Sequence, residues 1–488
     1  MSESLGGVAS KMTAVNKEKV LDSFIDKMKK EGVPGEAIDN FCYYYRKLIE
    51  GENGEIPEEE IEPVMDLESA DDIPRSCREV GKKELSKTVH MVLNGGLGTG
   101  MGMKKAKSLL SVRASMSFLD IIAKRSFMQG TALVLMNSFA TRTDSLRAVE
   151  KYYPADYRLK KDFLQHKTPK VKVAGLRPAV FEKNPALEWC PPGHGDIYPA
   201  LSSSRMLDEL IEGGYRHAFV SNADNLGAVV DESILGFFVE SKAPFMMEVA
   251  ERTAADSKGG HIARFRSDGK LVLREAAQCP QKNVGEFSDI GLHQYFNTNN
   301  LWLDLSVLKD VLKRKKNILG LPMILNRKTV DPLDPASFPV YQLETAMGAA
   351  IQVFEGAEAL LVPRERFLPV KSTNDLFVMR SDAVEFTPDL RIVRSPRLDR
   401  LPLIDLDPRY YRNIEWFEER FAQGVPSLVC CESLSVEGDV FFGSGIKVKG
   451  RVVLKHGSPS VCGSGGGSSS RSFVPDGTVL QDFMTVRD

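Results

Sequence analysis

Between Leu93 and Ser108 the chain packs five glycines into eight residues, Gly95 to Gly102, with Lys107 close behind. Glycine lets the backbone approach a phosphate closely and aim its N–H groups at the oxygens. A lysine a few residues on can neutralise the negative charge gathered there. Two familiar glycine motifs fail on spacing. A P-loop needs Lys and Ser/Thr straight after its last glycine, but Met101 follows Gly100. In the dinucleotide pattern G-x-G-x-x-G the third glycine would fall on Met101 or Met103, which disfavours an NAD-dependent dehydrogenase. Phosphate binding on some other plan is the better reading.

Other candidates lie further along. Asp224 follows the apolar run His217-Ala218-Phe219-Val220 at a strand's C-terminal end. Mg2+ commonly takes one or two carboxylates and completes its shell with phosphate oxygens and water, so one Asp suffices. On the residues alone, Asp224 serves equally well as the cap of a following helix. His194 sits between Gly193 and Gly195, with little bulk around it, and could donate to a phosphate or sugar oxygen. Most lone histidines are packed or at the surface. Taken alone, Gln165 reads as a surface residue, Lys371 as a solvated lysine and Asn297-Thr298-Asn299-Asn300 as a turn.

These residues need elements to hold them. The runs Val89–Leu93, Ala132–Met136 and His217–Val220 are short, apolar and separated by amphipathic stretches, the pattern of buried parallel strands alternating with helices. In such α/β sheets ligands gather beyond the strands' C-terminal ends. Asn94-Gly95-Gly96, Asn137-Ser138 and Asn222-Ala223-Asp224 occupy those positions. Ahead of them, Val20, Leu21, Phe24, Ile25 and Met28 mark one helix, and Ile38, Phe41, Cys42 and Tyr45 a second. Glu55 to Asp72, rich in Glu, Asp and Pro, suits an exposed connector. Beyond Leu401, valines spaced by Gly438, Gly443, Gly445 and Gly450 suggest a small β-solenoid. Gly463 to Ser470 reads as a flexible loop.

With 488 residues, two or three domains are expected. A formal net charge of -2 offers no footprint for nucleic acid or an anionic membrane. Lys313 to Lys316 reads as a solvated helix face. No apolar stretch is long enough to span a bilayer, and no secretory or peroxisomal-type signal is evident. Seven cysteines without a C-x-x-C pair indicate neither a zinc cluster nor a disulfide framework. A cytoplasmic protein with reduced thiols is expected.

The glycine segment resembles the L-x-G-G-x-G-T-x-x-G-x-x-x-x-K signature of UDP-sugar pyrophosphorylases, most closely the eukaryotic UTP–glucose-1-phosphate uridylyltransferases. The resemblance runs from about Thr88 to Leu454. One departure is Ala106, where the family commonly has Pro; Ala still permits a helix to start. The fold implied is α/β: an N-terminal helical segment (1–80), a Rossmann-like nucleotidyltransferase domain with a mixed, mostly parallel sheet (81–400), and a C-terminal left-handed β-helix-like domain (401–488).

The resemblance also implies roles. Lys107, Lys371 and Asp224 are catalytic, with Asp224 holding Mg2+ and Lys371 binding phosphates opposite Lys107. Leu93, Gly95, Gly96, Gly98, Thr99, Met136, Gln165, Gly193 and Asn222 bind the nucleotide, and the Gln165 amide matches the O4 and N3–H edge of uracil. His194 reaches the sugar phosphate, while Gly260, Glu275, Asn297 and Asn299 hold glucose. The implied partners are UTP, glucose 1-phosphate, UDP-glucose and pyrophosphate. Rivals are a pyrophosphorylase for N-acetylhexosamine or several sugar phosphates, and a non-catalytic UDP-sugar sensor.

Overall fold

The computed structural model describes residues 14–113, 115–253, 256–455 and 472–481. Gly463 to Ser470, read from composition as a flexible loop, lies outside them. The described residues form an eleven-stranded sheet built on β1 (Thr88–Asn94), β2 (Ala132–Asn137), β3 (Asp162–Leu164), β4 (His217–Asn222), β5 (Phe245–Glu251), β6 (Tyr295–Asp304) and β7 (Glu358–Leu361). Their spatial order is β7-β5-β6-β4-β1-β2-β3, with Glu68–Ser69 outside β7. All neighbours on this path run parallel except β6, which is antiparallel to both β4 and β5. The α/β sheet expected from the alternating apolar runs is present, and it is mixed but mostly parallel, as the resemblance implies. β2 is buried at every position, as a strand covered on both faces must be.

The parallel trio β4-β1-β2 ends in register, with Asn222 opposite Leu93 and Leu93 opposite Met136. Three candidate segments therefore leave the sheet side by side on one rim. Behind that rim, Glu248 is fully buried on β5 and takes two hydrogen bonds from Arg366, at 2.7 and 2.6 Å. Asn300 Nδ2 and Trp302 Nε1 donate to the same carboxylate, each at 2.9 Å. The Arg366 carbonyl accepts from Asn225 Nδ2, and Asn225 Oδ1 accepts from the Leu368 N–H. This buried ion pair thus anchors the strand-end loop carrying Asp224 to the segment leading to Lys371.

Two amphipathic helices, Ala14–Lys30 and Gly35–Glu50, stand where the apolar stripes predict them and bury Leu21, Phe24, Met28, Phe41 and Tyr45. Glu55 to Asp72 is a correction. It is no exposed connector: Ile56, Ile61 and Val64 are buried, Ile61–Pro63 pairs with His261–Phe265, and Glu68–Ser69 pairs with β7. Three of its acidic residues pair with basic ones: Glu58 with Arg274 and His293, Glu59 with Lys282, and Glu62 with Arg266.

C-terminally, Leu403–Leu406, Ser427–Glu437, Lys447–Lys455 and Val479–Gln481 form a parallel sheet, and Val440–Phe442 pairs parallel with Ser472–Val474. The valines between those glycines point inward: Val436, Val440, Val448 and Val452 are at most 1% exposed. One apolar cluster runs from these strands through Phe417 and Phe421 to Leu376 and Phe377, so no gap in the core marks residue 400.

Glu248→Ala strands a buried guanidinium. We expect the unfolding free energy to fall by about 3–5 kcal/mol, read from the urea midpoint at unchanged m-value.

Candidate functional site

The rim of β4-β1-β2 opens on a cleft of about 290 Å³. Leu93, Gly95, Gly96, Lys107, Met136, Gln165, His194, Asn222 and Asp224 all line it, each of them a candidate from the sequence. Asn94 and Ala223, at the strand ends where ligands are expected, line it too, as do Ser108 and Pro191, for which the sequence offers no sign of a role.

Lys107 reaches the cleft because the glycine turn folds back on itself. Leu97 bridges to Ala106, and the Lys107 N–H donates to the Gly96 carbonyl at 3.2 Å. A short 3-10 turn, Lys107–Leu109, begins at the Ala106 position where a helix start was expected. Ser108 then donates to Asn94 Oδ1, while Asn94 Nδ2 donates to Asn137 Oδ1 at 2.7 Å. The turn is pinned to the ends of β1 and β2 by buried side chains. Gly98 and Thr99 do not face the cleft: Gly98 packs on Met103, and the Thr99 N–H closes on the Leu97 carbonyl.

The Lys107 ammonium meets Asp224 Oδ2 at 2.7 Å, with the two side chains 18% and 25% exposed. Asp224 caps no helix, since the next one, Glu232–Ser241, is capped by Asp231. The ambiguity of the sequence is resolved toward the cleft. Among the described lining residues it is the sole carboxylate. No group of three or more His, Cys, Asp or Glu among the described residues forms a self-sufficient metal centre. A single carboxylate beside a phosphate-type glycine turn suits Mg2+, which draws its remaining ligands from phosphate and water.

Gln165 follows β3, and its N–H donates to Asn137. Its Nε2 donates to the Gly193 carbonyl at 3.2 Å, and its Oε1 lies where a Cβ on Gly95 would stand, 2.5 Å away. A side chain on Gly95 would push the Gln165 amide aside, so glycine there leaves the amide its place facing the cleft. Gly193 has φ 82°, and a Cβ there would strike the Thr345 carbonyl at 2.4 Å. These two contacts close the Gln165 end of the cleft.

His194 Nδ1 accepts from the Met347 N–H at 3.0 Å, which leaves the single imidazole proton on Nε2. Burial lowers its pKa to about 4, so the ring is a neutral donor near pH 7. The residue after Met347, Gly348, lies against Asn297, whose N–H donates to the Gly260 carbonyl at 3.4 Å. Asn297 Nδ2 donates to Asn299 Oδ1, and Asn299 holds a left-handed φ of 60°. Gly260 packs directly on the Glu275 carboxylate. The four remaining sugar candidates thus form one polar cluster, joined to the cleft through His194 and Met347. Burial raises the Glu275 pKa, against the opposing pull of Lys371.

Lys371 does not line the cleft. It is exposed, with Nζ 5.7 Å from the Phe367 ring. The preceding N–H, of Val370, donates to the Asp224 carbonyl at 3.0 Å, which ties the segment to the rim.

Burial also lowers the pKa of His90, to about 3, and those of His217, His261 and His293, whereas Asp196 and Glu36 outweigh burial and raise that of His166. Below pH 6.5 the unfolded chain therefore takes up more protons than the folded one. Stability falls with falling pH, by up to about 1.4 kcal/mol per unit for each histidine held neutral, until its folded pKa is reached; His166 works the other way. His194→Gln should flatten the pH–stability curve between 6.5 and 4.5 by one such contribution in denaturant titrations.

A family model described as UTP–glucose-1-phosphate uridylyltransferase matches residues 38–449. A potato (Solanum tuberosum) UTP–glucose-1-phosphate uridylyltransferase is 40% identical over 408 residues, 82% of this chain and 81% of its own. The Saccharomyces cerevisiae enzyme of that name is 37% identical over 409 residues, 82% of this chain and 78% of its own. Among solved structures, a Leishmania major UDP-glucose pyrophosphorylase in complex with UDP-glucose superposes with a TM-score of 0.85 at 40% identity, covering 97% of this chain and 99% of that one. On the strength of these matches, which span the fold that frames the cleft, the chain belongs to the UTP–glucose-1-phosphate uridylyltransferase family.

Proposed function

We propose that this chain joins UTP to α-D-glucose 1-phosphate, forming UDP-glucose and pyrophosphate in a reversible reaction. The observation that carries the reading is the 2.7 Å approach of Lys107 to Asp224 in a cleft that also holds Gln165 and His194. A phosphate oxygen of glucose 1-phosphate attacks the α-phosphorus of UTP. A new P–O bond forms as the α–β anhydride bond breaks, and its electron pair leaves with pyrophosphate. Such a displacement needs alignment and charge neutralisation more than a protein nucleophile.

The residues divide that work. Gln165 faces the uracil edge, and Leu93, Gly95, Gly96, Met136 and Asn222 surround the nucleoside. Lys107 screens the α-phosphate, where the two substrates repel each other. His194, with its proton on Nε2, donates to the sugar phosphate without adding a charge that titrates near neutrality. Glu275, Asn297 and Asn299 accept from and donate to the glucose hydroxyls, with Gly260 leaving them room. Lys371 approaches the phosphates from the side opposite Lys107. Asp224 is the residue to hold Mg2+, which when bound would supply a divalent charge to the phosphate oxygens. We also read the C-terminal unit as a short left-handed β-helix, a reading supported by its parallel pairing and glycine corners.

Lys107→Ala should lower turnover by about 10²-fold or more, the scale for removing one stabilising group from a transition state, in a pyrophosphate-release assay. Near-normal turnover would refute its role. Asp224→Asn should raise the Mg2+ concentration needed for half-maximal rate by about tenfold, as expected when a metal's protein carboxylate is lost. Screening sugar 1-phosphates against the nucleoside triphosphates fixes the substrates. Preference for a 2-acetamido sugar phosphate over glucose 1-phosphate would move the assignment to a hexosamine, and no turnover of any pair would leave a binding protein.

A further inference from the structure

Gln165 reads a base only if its amide keeps one orientation. Uracil presents an acceptor and a donor at O4 and N3–H; cytosine presents the reverse pair at N4 and N3. A primary amide that turns over by 180° serves either base equally well. Here the turn is blocked on one side, because Nε2 donates to the Gly193 carbonyl at 3.2 Å. An oxygen placed there instead would face another oxygen.

The distance between Gln165 and Gly193 is set by their neighbours. Asp196 Oδ2 accepts from the backbone N–H of His166 at 2.7 Å, and its Oδ1 pairs with His166 Nδ1 at 2.9 Å. Both side chains are buried, at 2% and 6% exposure. The carboxylate thus clamps the residue after Gln165 to the turn that carries Gly193 and His194. His166 Nε2 continues to Ser203 Oγ at 2.9 Å. That Ser-His-Asp order has the look of a nucleophilic triad, yet Ala37, Asn40, Phe41 and Tyr44 cover the pair, leaving a cavity of about 10 Å³. That is room for about one water and no substrate. Burial pulls the His166 pKa down, but Asp196 and Glu36 outweigh it and raise it.

We propose that Asp196 and His166 are positioning residues for base selection: by fixing Gln165 against the Gly193 carbonyl, the pair makes the cleft accept a uridine and reject a cytidine triphosphate. The proposal rests on the reading that Gln165 faces the base.

The test compares kcat/KM for UTP and CTP, with glucose 1-phosphate saturating, in the full-length chain. Asp196→Asn and His166→Leu should each lower the UTP:CTP ratio by about tenfold, the worth of one well-placed hydrogen bond. The change should fall mainly on KM for UTP, with kcat within about threefold. His166→Asn, whose amide can still donate to Asp196, should recover most of the ratio. If one variant fails to fold, the other decides. Equal losses for both triphosphates, or an unchanged ratio, mean a structural role and overturn the proposal. A wild-type chain that turns over neither triphosphate would sink the functional reading itself, and one that prefers UTP while the variants keep that preference sinks only this inference.

Discussion

Opposite charges drawn from segments 117 residues apart meet at the sheet rim, where Lys107 and Asp224 approach to 2.7 Å. Each is held in place by backbone rather than by its partner. Lys107 rides a turn closed by its own N–H on Gly96, and Asp224 lies in a loop gripped by two backbone bonds, Ala223 to Leu93 and Val370 to the Asp224 carbonyl. The ion pair is therefore a consequence of the fold and costs little reorganisation to open. At 18% and 25% exposure both groups keep contact with water, so an arriving polyphosphate can take the ammonium from the carboxylate without stranding either charge in a dry interior.

What steadies these backbones lies on opposite sides of the cleft. Behind it, the Glu248–Arg366 pair fixes the Arg366 carbonyl, and through Asn225 the start of the Lys371 segment. In front, the C-terminal unit grips the glycine turn: Arg412 donates to the Gly100 carbonyl at 3.0 Å, and Asn413 packs where Gly102 has no side chain. The same unit reaches the helix after Lys371, as the Leu406 N–H donates to Asn374 at 3.2 Å. Both lysine-bearing segments thus lean on a single C-terminal support. Gln165 and Gly193 are held elsewhere, on the Asn137 carbonyl and against Thr345.

Legibility in the sequence tracks locality. The glycine turn, Asp224 and the three strand ends are readable because a parallel strand buried on both faces is a continuous apolar run, and the residues just past its C-terminal end face the ligand side. Gln165 is placed by resemblance alone, since nothing in an isolated Gln marks it as more than a surface residue, while His194 is hinted at by its setting between two glycines and given its role by the resemblance. Glu55 to Asp72 misleads because its partners are far away: Ile61 pairs with Phe265, and Glu58 with Arg274. Its acidic composition is that of an exposed segment, and only distant basic residues make it otherwise. Ser108 and Asp196 escape notice for the same reason. Each acts through a side chain brought close by the sheet, a relation that no local spacing encodes.

Lys371 is the instructive case, because its distance from the cleft and its tether to the rim are separate facts. Its Nζ rests over Phe367, while the Val370 N–H is bound to the Asp224 carbonyl. Its own N–H donates to Asp375 Oδ2 at 2.8 Å, so the backbone is held at the lysine as well as at the residue before it, and the ammonium moves by its side-chain torsions. Its charge is felt by Glu275, where it opposes the upward pull of burial on that carboxyl's pKa. An exposed cation on a segment fixed one residue upstream changes position by side-chain rotation alone. Rotation of exposed methylenes costs less than moving a packed strand, so the ammonium can move while the sheet stays still.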